Sequence, residues 1–461
     1  MMRSVQLTLL ALAGLGNALP QTSNKQYTST EHDIKYNVFE HGATGSTMKF
    51  VANSGLCETT PGVNQYSGYH SVGTDQNMWF WFFEARKAAK TAPLALWLNG
   101  GPGCSSMLGL FQENGPCTFN GGGSQPKLNP YSWNSFANMP IGAGFSYGNV
   151  DVADSTPAAA PAIWKLVQTF LTQFPEYESR DFGLFTESYG GHYGPEFAYY
   201  FQQQNAAIDA GTITGEKINL VALGINNGWI DPVSQYKAYI DFAVNNTYRP
   251  LLSADDAQQY YDAYDQQCKP AYKGCTSDPS TNNACASAGD TCSSAVEGPL
   301  EELANFDAYD IRASSDSFPP STFVKWLTSS SVKKAIGATS SFASCGSTAI
   351  GNDDSSRSFL HTLNDVINTG INVLVWAGDA DWICNWMGNY QALESIASPA
   401  FVSAALKDYT VNGKKYGEYK NAGNLNWLRV YAAGHEVPAY QPQAALAAFT
   451  SIMSKQALSS S

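Results

Sequence analysis

The chain has 461 residues, of which 44% are hydrophobic and 13% aromatic, a composition that is typical of a globular protein and excludes a disordered one. Its 26 Lys and Arg against 39 Asp and Glu give a formal net charge of −13, which disfavours binding to nucleic acid or to an anionic membrane. The length fits one large domain with insertions, or two domains.

The N-terminal segment predicts a cleaved secretory signal over residues 1–18. Arg3 precedes a mostly apolar run, and small residues have the spacing of a cleavage site after Ala18. No later run reaches the roughly 18 apolar residues of a membrane-spanning helix, so we expect residues 19–461 to form a soluble protein that is secreted or vacuolar. The acceptor sequence for N-glycosylation at Asn245 fits this route.

Short apolar runs that end in turn residues predict the strands of a sheet. These runs are Met78–Phe83, Leu94–Leu98, Phe182–Phe185, Leu220–Ile225, Val373–Trp376 and Trp427–Tyr431. Segments of helical periodicity lie between them, and Ala158 to Phe174 is the clearest. Strands that alternate with helices predict an α/β fold with a mostly parallel central sheet and helices on both faces.

Residues that can carry chemistry follow four of these predicted strands. In chain order they are Asn99 to Gly101, Ser188, Asp379 and Asp381, and His435. Because the carboxyl ends of parallel strands share one edge of a sheet, we expect these groups to lie close together.

The stretch Thr186-Glu187-Ser188-Tyr189-Gly190 matches the second half of the G-x-S-x-G elbow, which holds a nucleophilic serine on a sharp turn between strand and helix. A serine hydroxyl needs a base within hydrogen-bonding reach and a third group that orients the base. In elbow hydrolases the acid and then the base follow the serine along the chain. Thr186 stands where the elbow usually has glycine, and a β-branched residue in that turn weakens the match.

Six histidines are candidates for the base. His192 lies one helical turn after Ser188, where its side chain would point along the helix, and His361 lies in an ordinary helical stretch. Three others precede the first motif and are more simply surface or packing residues. His435 alone follows a strand and opens a loop, so we predict that it is the base. Asp379 and Asp381 both fit the acid.

The stretch LWLNGGPGCSS, from Leu96 to Ser106, places consecutive glycines directly after a strand. Glycines let backbone N–H groups approach a developing oxyanion, which is often the largest electrostatic contribution to acyl transfer. Alone these glycines would indicate a tight turn, but with an elbow downstream they favour an oxyanion hole.

Four motifs in this order, LNGGPGCSS, ESYGG, AGDADWICNW and AGHEVP, resemble the serine carboxypeptidases, and fungal secreted members look most similar. The resemblance covers essentially the whole mature chain. It implies an α/β-hydrolase fold and removal of C-terminal residues from peptides and proteins. It also implies the triad Ser188, Asp381 and His435, with the backbone N–H groups of Gly101 and Tyr189 in the oxyanion hole.

The resemblance further implies that Asn99, Gly100, Glu113 and Glu187 bind the terminal carboxylate of the peptide. Two glutamates that face a carboxylate repel it when all three groups are ionised, so binding needs shared protons, which raised pKa values supply. We therefore expect acid pH to favour binding of the chain end.

Two further residues near the triad are candidates for substrate specificity. Glu436 directly follows the base and takes the place of an apolar residue in members that prefer hydrophobic ends. Because a carboxylate there can pair with Arg or Lys, we expect basic as well as hydrophobic residues to be accepted. Cys384 is the second candidate.

Nine cysteines in a secreted chain predict disulfides with one thiol left over. Four of them crowd into a polar segment, which predicts a disulfide-stapled insertion or lid at about residues 235–315. The resemblance implies the pairs Cys104–Cys345, Cys268–Cys292 and Cys275–Cys285, and Cys57–Cys117 follows from these. Cys384 then remains as a free thiol near the active site, and we expect sensitivity to mercurials.

The chain departs from the family pattern between Met139 and Pro140, where an apolar run is missing and about one strand of five to six residues is lost. Loss of an interior strand leaves backbone groups unpaired, at a cost that is large against a total stability of roughly 5 to 15 kcal/mol. Either the sequence omits a short coding piece, or the chain as written folds poorly or is inactive. The unbroken catalytic motifs favour the first interpretation.

Two other functions compete with the exopeptidase. One is an acyltransferase or esterase on the same scaffold, and the other is a binding or protective protein that has lost catalysis. We expect no cofactor and no metal, because no group of His, Cys and Asp has ligand spacing of its own. The sequence does not predict an oligomeric state.

Overall fold

The computed structural model describes residues 23–119, 123–134, 136–137, 143–303 and 306–461. The predicted signal segment at residues 1–18 and the predicted strand loss between Met139 and Pro140 lie outside these ranges. Within them the strands are β1 (Lys25–Glu31), β2 (Ile34–Glu40), β3 (Thr47–Ala52), β4 (Gln65–Gly73), β5 (Gln76–Phe83), β6 (Leu94–Leu98), β7 (Cys117–Thr118), β8 (Lys127–Leu128), β9 (Phe136–Ala137), β10 (Tyr147–Gly148), β11 (Phe182–Glu187), β12 (Leu220–Asn226), β13 (Asn372–Gly378), β14 (Lys407–Val411), β15 (Lys414–Ala422) and β16 (Leu425–Val430).

The helices of the described residues follow the same chain order. They are α1 (Thr156–Gln173), α2 (Gly190–Asp209), α3 (Pro232–Asn245), α4 (Ala254–Ala263), α5 (Lys269–Ala271), α6 (Asn282–Cys292), α7 (Gly298–Leu303), α8 (Phe323–Leu327), α9 (Ser330–Ile336), α10 (Asn352–Ser355), α11 (Leu360–Asn368), α12 (Trp386–Ile396), α13 (Pro399–Ser403), α14 (Val437–Tyr440) and α15 (Pro442–Met453). In this part of the chain no helix is both long and apolar enough to cross a bilayer.

The central sheet has the strand order β14-β15-β16-β13-β12-β11-β6. The five strands from β16 to β6 run parallel, and β15 and β14 extend the sheet in antiparallel fashion. The prediction of a mostly parallel central sheet is confirmed, since five of the six predicted strands lie in its parallel part. The predicted helix from Ala158 to Phe174 lies in α1.

Side chains of the parallel strands alternate between two apolar cores, because successive residues of a strand point to opposite faces. In β13, Val373 and Val375 pack in the core that holds apolar residues of α1, α2 and α11. Leu374 and Trp376 face the opposite core, which contains apolar residues of α15. Both faces of the sheet are therefore covered, as in a parallel sheet whose strands read as continuous apolar runs.

A second sheet, which the sequence analysis did not predict apart from β5, precedes the central one. Its strands β1 to β5 form an antiparallel meander, with β10 and β9 both paired to β5. The two-residue β9 also lies beside β6 of the central sheet. The boundary between the two sheets therefore falls next to the residues where the sequence predicts a lost strand.

Helices α3 to α7 form an insertion after β12, here defined as residues 232–303. It has an apolar core of its own that includes Tyr239, Phe242 and Val296, and Trp382 of the central domain joins that core. Four disulfides are present, with the pairs that the resemblance implies: Cys57–Cys117, Cys104–Cys345, Cys268–Cys292 and Cys275–Cys285. The last two staple the insertion, and Cys384 is a buried free thiol.

Candidate active site

Ser188 occupies the turn between β11 and α2. Its φ of +61° places a non-glycine residue in the left-handed region, which is strained and typical of a nucleophile elbow. The turn is held by two backbone hydrogen bonds, from Ser188 N to Asn226 O at 3.0 Å and from Trp229 N to Ser188 O at 2.8 Å. The side chain is half-buried and lines a cavity of about 530 Å³.

Thr186 fits the elbow because the residues that face it are glycines. A Cβ on Gly190 would lie 2.5 Å from the Thr186 Cβ, closer than two carbons can approach. The Thr186 hydroxyl donates a hydrogen bond to Gly190 O at 2.7 Å. The β-branched residue is therefore accommodated by a missing side chain across the turn.

The predicted acid and base meet at the carboxyl edge of the central sheet. Asp381 follows β13, His435 follows β16, and Nδ1 of His435 lies 3.0 Å from Oδ2 of Asp381. Asp381 is fully buried, and the same Oδ2 accepts hydrogen bonds from Asn227 Nδ2 at 2.7 Å and from Cys384 N at 3.2 Å. Burial lowers the pKa of His435, but Asp381 raises it by charge and hydrogen bonding, and the net shift is upward.

Asp379, the alternative acid, contacts other residues. Its Oδ1 accepts a hydrogen bond from the Tyr248 hydroxyl at 2.5 Å, and its Oδ2 lies 3.7 Å from Nη2 of Arg429. The residue patterns left both aspartates open as the acid. Of the two, Asp381 is the one that contacts His435.

The glycine stretch after β6 lies directly against the elbow. A Cβ on Gly100 would lie 2.3 Å from Tyr189 N and 2.8 Å from the Ser188 Cβ, so only glycine allows this approach. Gly101 has a φ of +110°, and it lines the same cavity as Ser188 and His435. The two predicted oxyanion donors, Gly101 and Tyr189, therefore belong to adjoining backbone segments.

Asn99 joins the two predicted carboxylate-binding glutamates. Its Nδ2 donates to Glu113 Oε1 at 3.1 Å and to Glu187 Oε1 at 2.9 Å. Its Oδ1 accepts from Trp97 Nε1 at 2.9 Å and from Gly109 N at 3.0 Å, which fixes the orientation of the amide. Asn99, Glu113 and Glu187, three of the four residues that the resemblance implies, thus form one buried hydrogen-bonded group.

Burial raises the pKa of Glu113 well above its usual value, and the charges of Glu187 and Glu436 raise it further. Burial likewise raises the pKa of Glu436, with Glu187 as the next contribution. Glu113 and Glu187 are within hydrogen-bonding reach of each other, and this contact needs one of the two to be protonated, because carboxylates only accept. The cluster is therefore built to hold protons.

The charged lining of the cavity is acidic among the described residues. Glu187, Asp316 and Glu436 line it together with His435, and no Lys or Arg of the described chain does so. Burial raises the pKa of Asp316 as well, while His435 lowers it. Glu436 thus lies at the cavity beside the predicted base.

Two consecutive asparagines, Asn226 at the end of β12 and Asn227 directly after it, were not predicted from the sequence. Asn226 Nδ2 donates to Glu187 Oε2 at 2.8 Å and to His435 O at 3.0 Å. Asn227 Nδ2 holds Asp381, and its Oδ1 accepts from Gly378 N at 3.0 Å. The signal that could have found them is their position, since polar residues directly after a buried parallel strand lie at the site edge.

Tyr309 was also missed. It follows the insertion, its carbonyl oxygen accepts a hydrogen bond from His435 N at 2.9 Å, and its ring packs edge-on against the imidazole at 5.1 Å between centroids. No pattern in the sequence around it marks this contact, because it depends on where the insertion returns to the sheet.

Cys384 lies beside the nucleophile. Its thiol is within hydrogen-bonding reach of Ser188, and burial raises the pKa of the thiol well above its usual value, with Asp381 as the next cause. A neutral thiol is a poor nucleophile, so the raised pKa disfavours nucleophilic chemistry at Cys384, and its part in substrate specificity stays a prediction. Among the described residues no cluster of His, Cys, Asp and Glu is arranged to hold a metal ion.

The family model and the relatives that match this chain agree on one family. The family model for serine carboxypeptidases matches residues 55–455. Carboxypeptidase S1 of Penicillium janthinellum is 55% identical over 424 residues, which cover 89% of this chain and all of the relative. Carboxypeptidase Y homolog A of Arthroderma otae is 38% identical over 421 residues, which cover 84% of this chain and 74% of the relative.

A solved structure supports the fold. The crystal structure of Kex1, a prohormone-processing carboxypeptidase of Saccharomyces cerevisiae, has a TM-score of 0.68 to this chain at 23% identity and covers 85% of this chain and 91% of its own. The predicted α/β-hydrolase fold is thereby confirmed. The family model spans most of the chain and the first relative is matched over its full length. The chain therefore belongs to the serine carboxypeptidase family of hydrolases.

Proposed function

We propose that this serine carboxypeptidase works through an acyl-enzyme on Ser188. The observation that carries the proposal is the 3.0 Å contact between His435 and Asp381 at the cavity that Ser188 also lines. Asp381 then orients the imidazole and stabilises the cation that forms when His435 takes a proton.

In the proposed reaction Ser188 Oγ attacks the carbonyl carbon of the last peptide bond while its proton passes to His435. The backbone N–H groups of Gly101 and Tyr189 stabilise the oxyanion. The C–N bond then breaks as His435 returns the proton to the departing amine, and the C-terminal residue leaves. Water, deprotonated by His435, hydrolyses the ester on Ser188 and restores the enzyme.

We propose that Asn99, Gly100, Glu113 and Glu187 bind the terminal carboxylate of the substrate. The raised pKa of Glu113 supports this, because a protonated carboxyl can donate to an anion whereas an ionised one repels it. Binding is therefore strongest below that pKa and weakens as pH rises through it. This sign supports a preference for acid pH in the binding step.

Glu436 is proposed as a residue that favours basic side chains. The acidic lining of the cavity supports this, since a buried or half-buried carboxylate can form a charge-assisted pair with Arg or Lys. Hydrophobic residues remain acceptable, because Tyr309 and Phe318 also line the cavity.

We further propose that the chain is secreted or vacuolar, with cleavage after Ala18 and a glycan on Asn245. Asn245 ends α3 and is exposed, as a glycosylated asparagine must be. The predicted lid at about residues 235–315 is kept as a proposal, supported by Tyr309, which lies in this range and lines the cavity. The loss of a strand near Met139 and Pro140 stays a prediction, to be tested by sequencing the transcript across it.

The test is active-site labelling with a fluorophosphonate. We expect one label per molecule, located on Ser188 by peptide mass spectrometry, and loss of both labelling and release of C-terminal residues in Ser188→Ala. Ser105→Ala is a matched control, since Ser105 is a buried serine outside the elbow. Folded protein that releases C-terminal residues without Ser188 would contradict the proposal.

A further inference from the structure

A buried carboxylate on the far side of the elbow has no part in the proposed reaction. Asp354 lies in the short helix α10 and is fully buried. Its Oδ2 accepts hydrogen bonds from the Tyr189 hydroxyl and from Thr156 Oγ1, each at 2.6 Å, and its Oδ1 accepts from Thr156 N at 3.1 Å. Asp354 thus joins the first residue of α1 to the residue after the nucleophile.

Three donors converge on this one carboxyl group, and each is buried. A buried donor that loses its acceptor is left with the cost of its desolvation, so the arrangement favours one position of the Tyr189 ring. Burial raises the pKa of the Tyr189 hydroxyl well above its usual value, and the charge of Asp354 is the next cause. The tyrosine therefore stays a donor to Asp354.

The Tyr189 ring and the backbone N–H group proposed for the oxyanion hole belong to the same residue. The ring packs against His192 and Tyr193 at centroid distances of 4.6 and 5.2 Å. Its own backbone nitrogen lies against Gly100, where a Cβ would come within 2.3 Å. A shift of the ring that moved the backbone of Tyr189 would change the direction of its N–H group, which acts only as charge develops on the oxyanion.

The other side of α10 is bound to the insertion. Asn352 Nδ2 donates to Asp290 Oδ1 at 2.6 Å, and the Arg357 guanidinium donates to Thr276 O and, at 2.5 Å, to Asn282 Oδ1. Trp229, which follows β12, donates from Nε1 to Ser355 O at 2.7 Å. The segment that carries Asp354 is thus anchored independently of Tyr189, as a positioning group requires.

We propose that Asp354 is a positioning residue for the oxyanion hole, acting on the N–H group of Tyr189 through the hydrogen bond between its carboxylate and the Tyr189 hydroxyl. This inference rests on the proposed function, because it assigns Tyr189 N–H to the oxyanion. Since the N–H group acts in the transition state and not on the bound substrate, loss of the contact lowers kcat and leaves KM nearly unchanged.

The experiment compares Tyr189→Phe, Asp354→Asn and the double variant with Thr156→Val as matched control. Thr156→Val removes the other hydroxyl that donates to the same carboxylate oxygen and leaves the hydrogen bond from the Tyr189 hydroxyl to Asp354 in place. Each protein is titrated with a fluorophosphonate, and kcat is expressed per labelled Ser188. We expect kcat to fall about tenfold in Tyr189→Phe with little change in KM, less than the loss for removing an oxyanion donor itself. The double variant should lose no more than the larger single loss.

Thr156→Val should melt at a lower temperature than the wild type but keep its kcat per labelled site. An unchanged kcat in Tyr189→Phe with normal labelling overturns the inference alone, as does an equal kcat loss in Thr156→Val. Failure of the wild type to label at Ser188 overturns the proposed function as well. Because Tyr189→Phe leaves the carboxylate and Thr156 paired, the test stands even if Asp354→Asn does not fold.

Discussion

Two buried carboxyl groups of the candidate site, those of Asp381 and Glu113, differ in what surrounds the acid. Asp381 receives three N–H donors on one oxygen, one of them from His435. Glu113 receives one N–H donor, from Asn99, and lies against a second acid. Donors and cations favour a charged carboxylate, whereas burial beside other acids favours a protonated one. The same chemical group can therefore orient a base in one environment and receive an anion in the other.

The largest expected effect comes from breaking the first environment. Asp381→Asn should lower kcat by about 10⁴-fold, because the amide no longer holds the imidazole in the required tautomer. The measurement is steady-state hydrolysis of a peptide substrate, with folding checked by circular dichroism.

Asp379→Asn is the matched control, since Asp379 lies two residues away and contacts Tyr248 instead of His435. It should change kcat little. A loss in Asp379→Asn as large as that in Asp381→Asn would remove the distinction between the two aspartates.

The second environment is tested by pH. The pKa of Glu113 is raised, so its proton is held at acid pH and lost as pH rises through that pKa. We expect KM for a peptide with a free C-terminus to rise about tenfold or more across this range. KM for an ester that lacks the carboxylate should stay nearly constant.

Glu113→Gln sharpens this test, because an amide donates at every pH. The variant should bind free-carboxylate peptides with a KM that no longer depends on pH in this way. If KM of the variant still rose with pH as in the wild type, the pH dependence would belong to a group other than Glu113.

A smaller effect is expected from Glu436→Gln. Removing the charge should lower the preference for C-terminal Arg over Leu, measured as the ratio of kcat/KM values, by about tenfold, the usual range for a hydrogen bond to a charged group. Because burial raises the pKa of Glu436, this preference should grow in the wild type as pH rises. Equal ratios in both proteins at every pH would count against the assignment.

The smallest effect concerns the thiol. Cys384→Ser should abolish inhibition by a mercurial while it changes kcat only slightly, since the thiol packs beside Ser188 and takes no part in proton transfer. Alkylation of the wild type by iodoacetamide should be slow, because the raised pKa keeps the thiol neutral. Inhibition that survives in Cys384→Ser would point to a different site.

Local patterns in the sequence predicted the parallel strands and the edge where the site lies. Ser188 and His435 were found because each follows an apolar run and stands in a turn. The antiparallel strands β1 to β4 were missed, since their apolar side chains alternate or mix with polar ones and their burial depends on tertiary packing, such as that of β3 and β4 against α1. Asn226 was missed because its contacts join residues from three strands.

The sequence by itself determined the class of fold, the position of the elbow and the order of its partners, because strand periodicity and turn chemistry act over a few residues. Residue patterns alone left Asp379 and Asp381 open, and only the tertiary structure shows Asp381 in contact with His435, Glu113 buried among acids, and Asp354 bonded to Tyr189. These outcomes depend on contacts between distant segments, and burial and charge at each point arise only when the sheet and the insertion pack together.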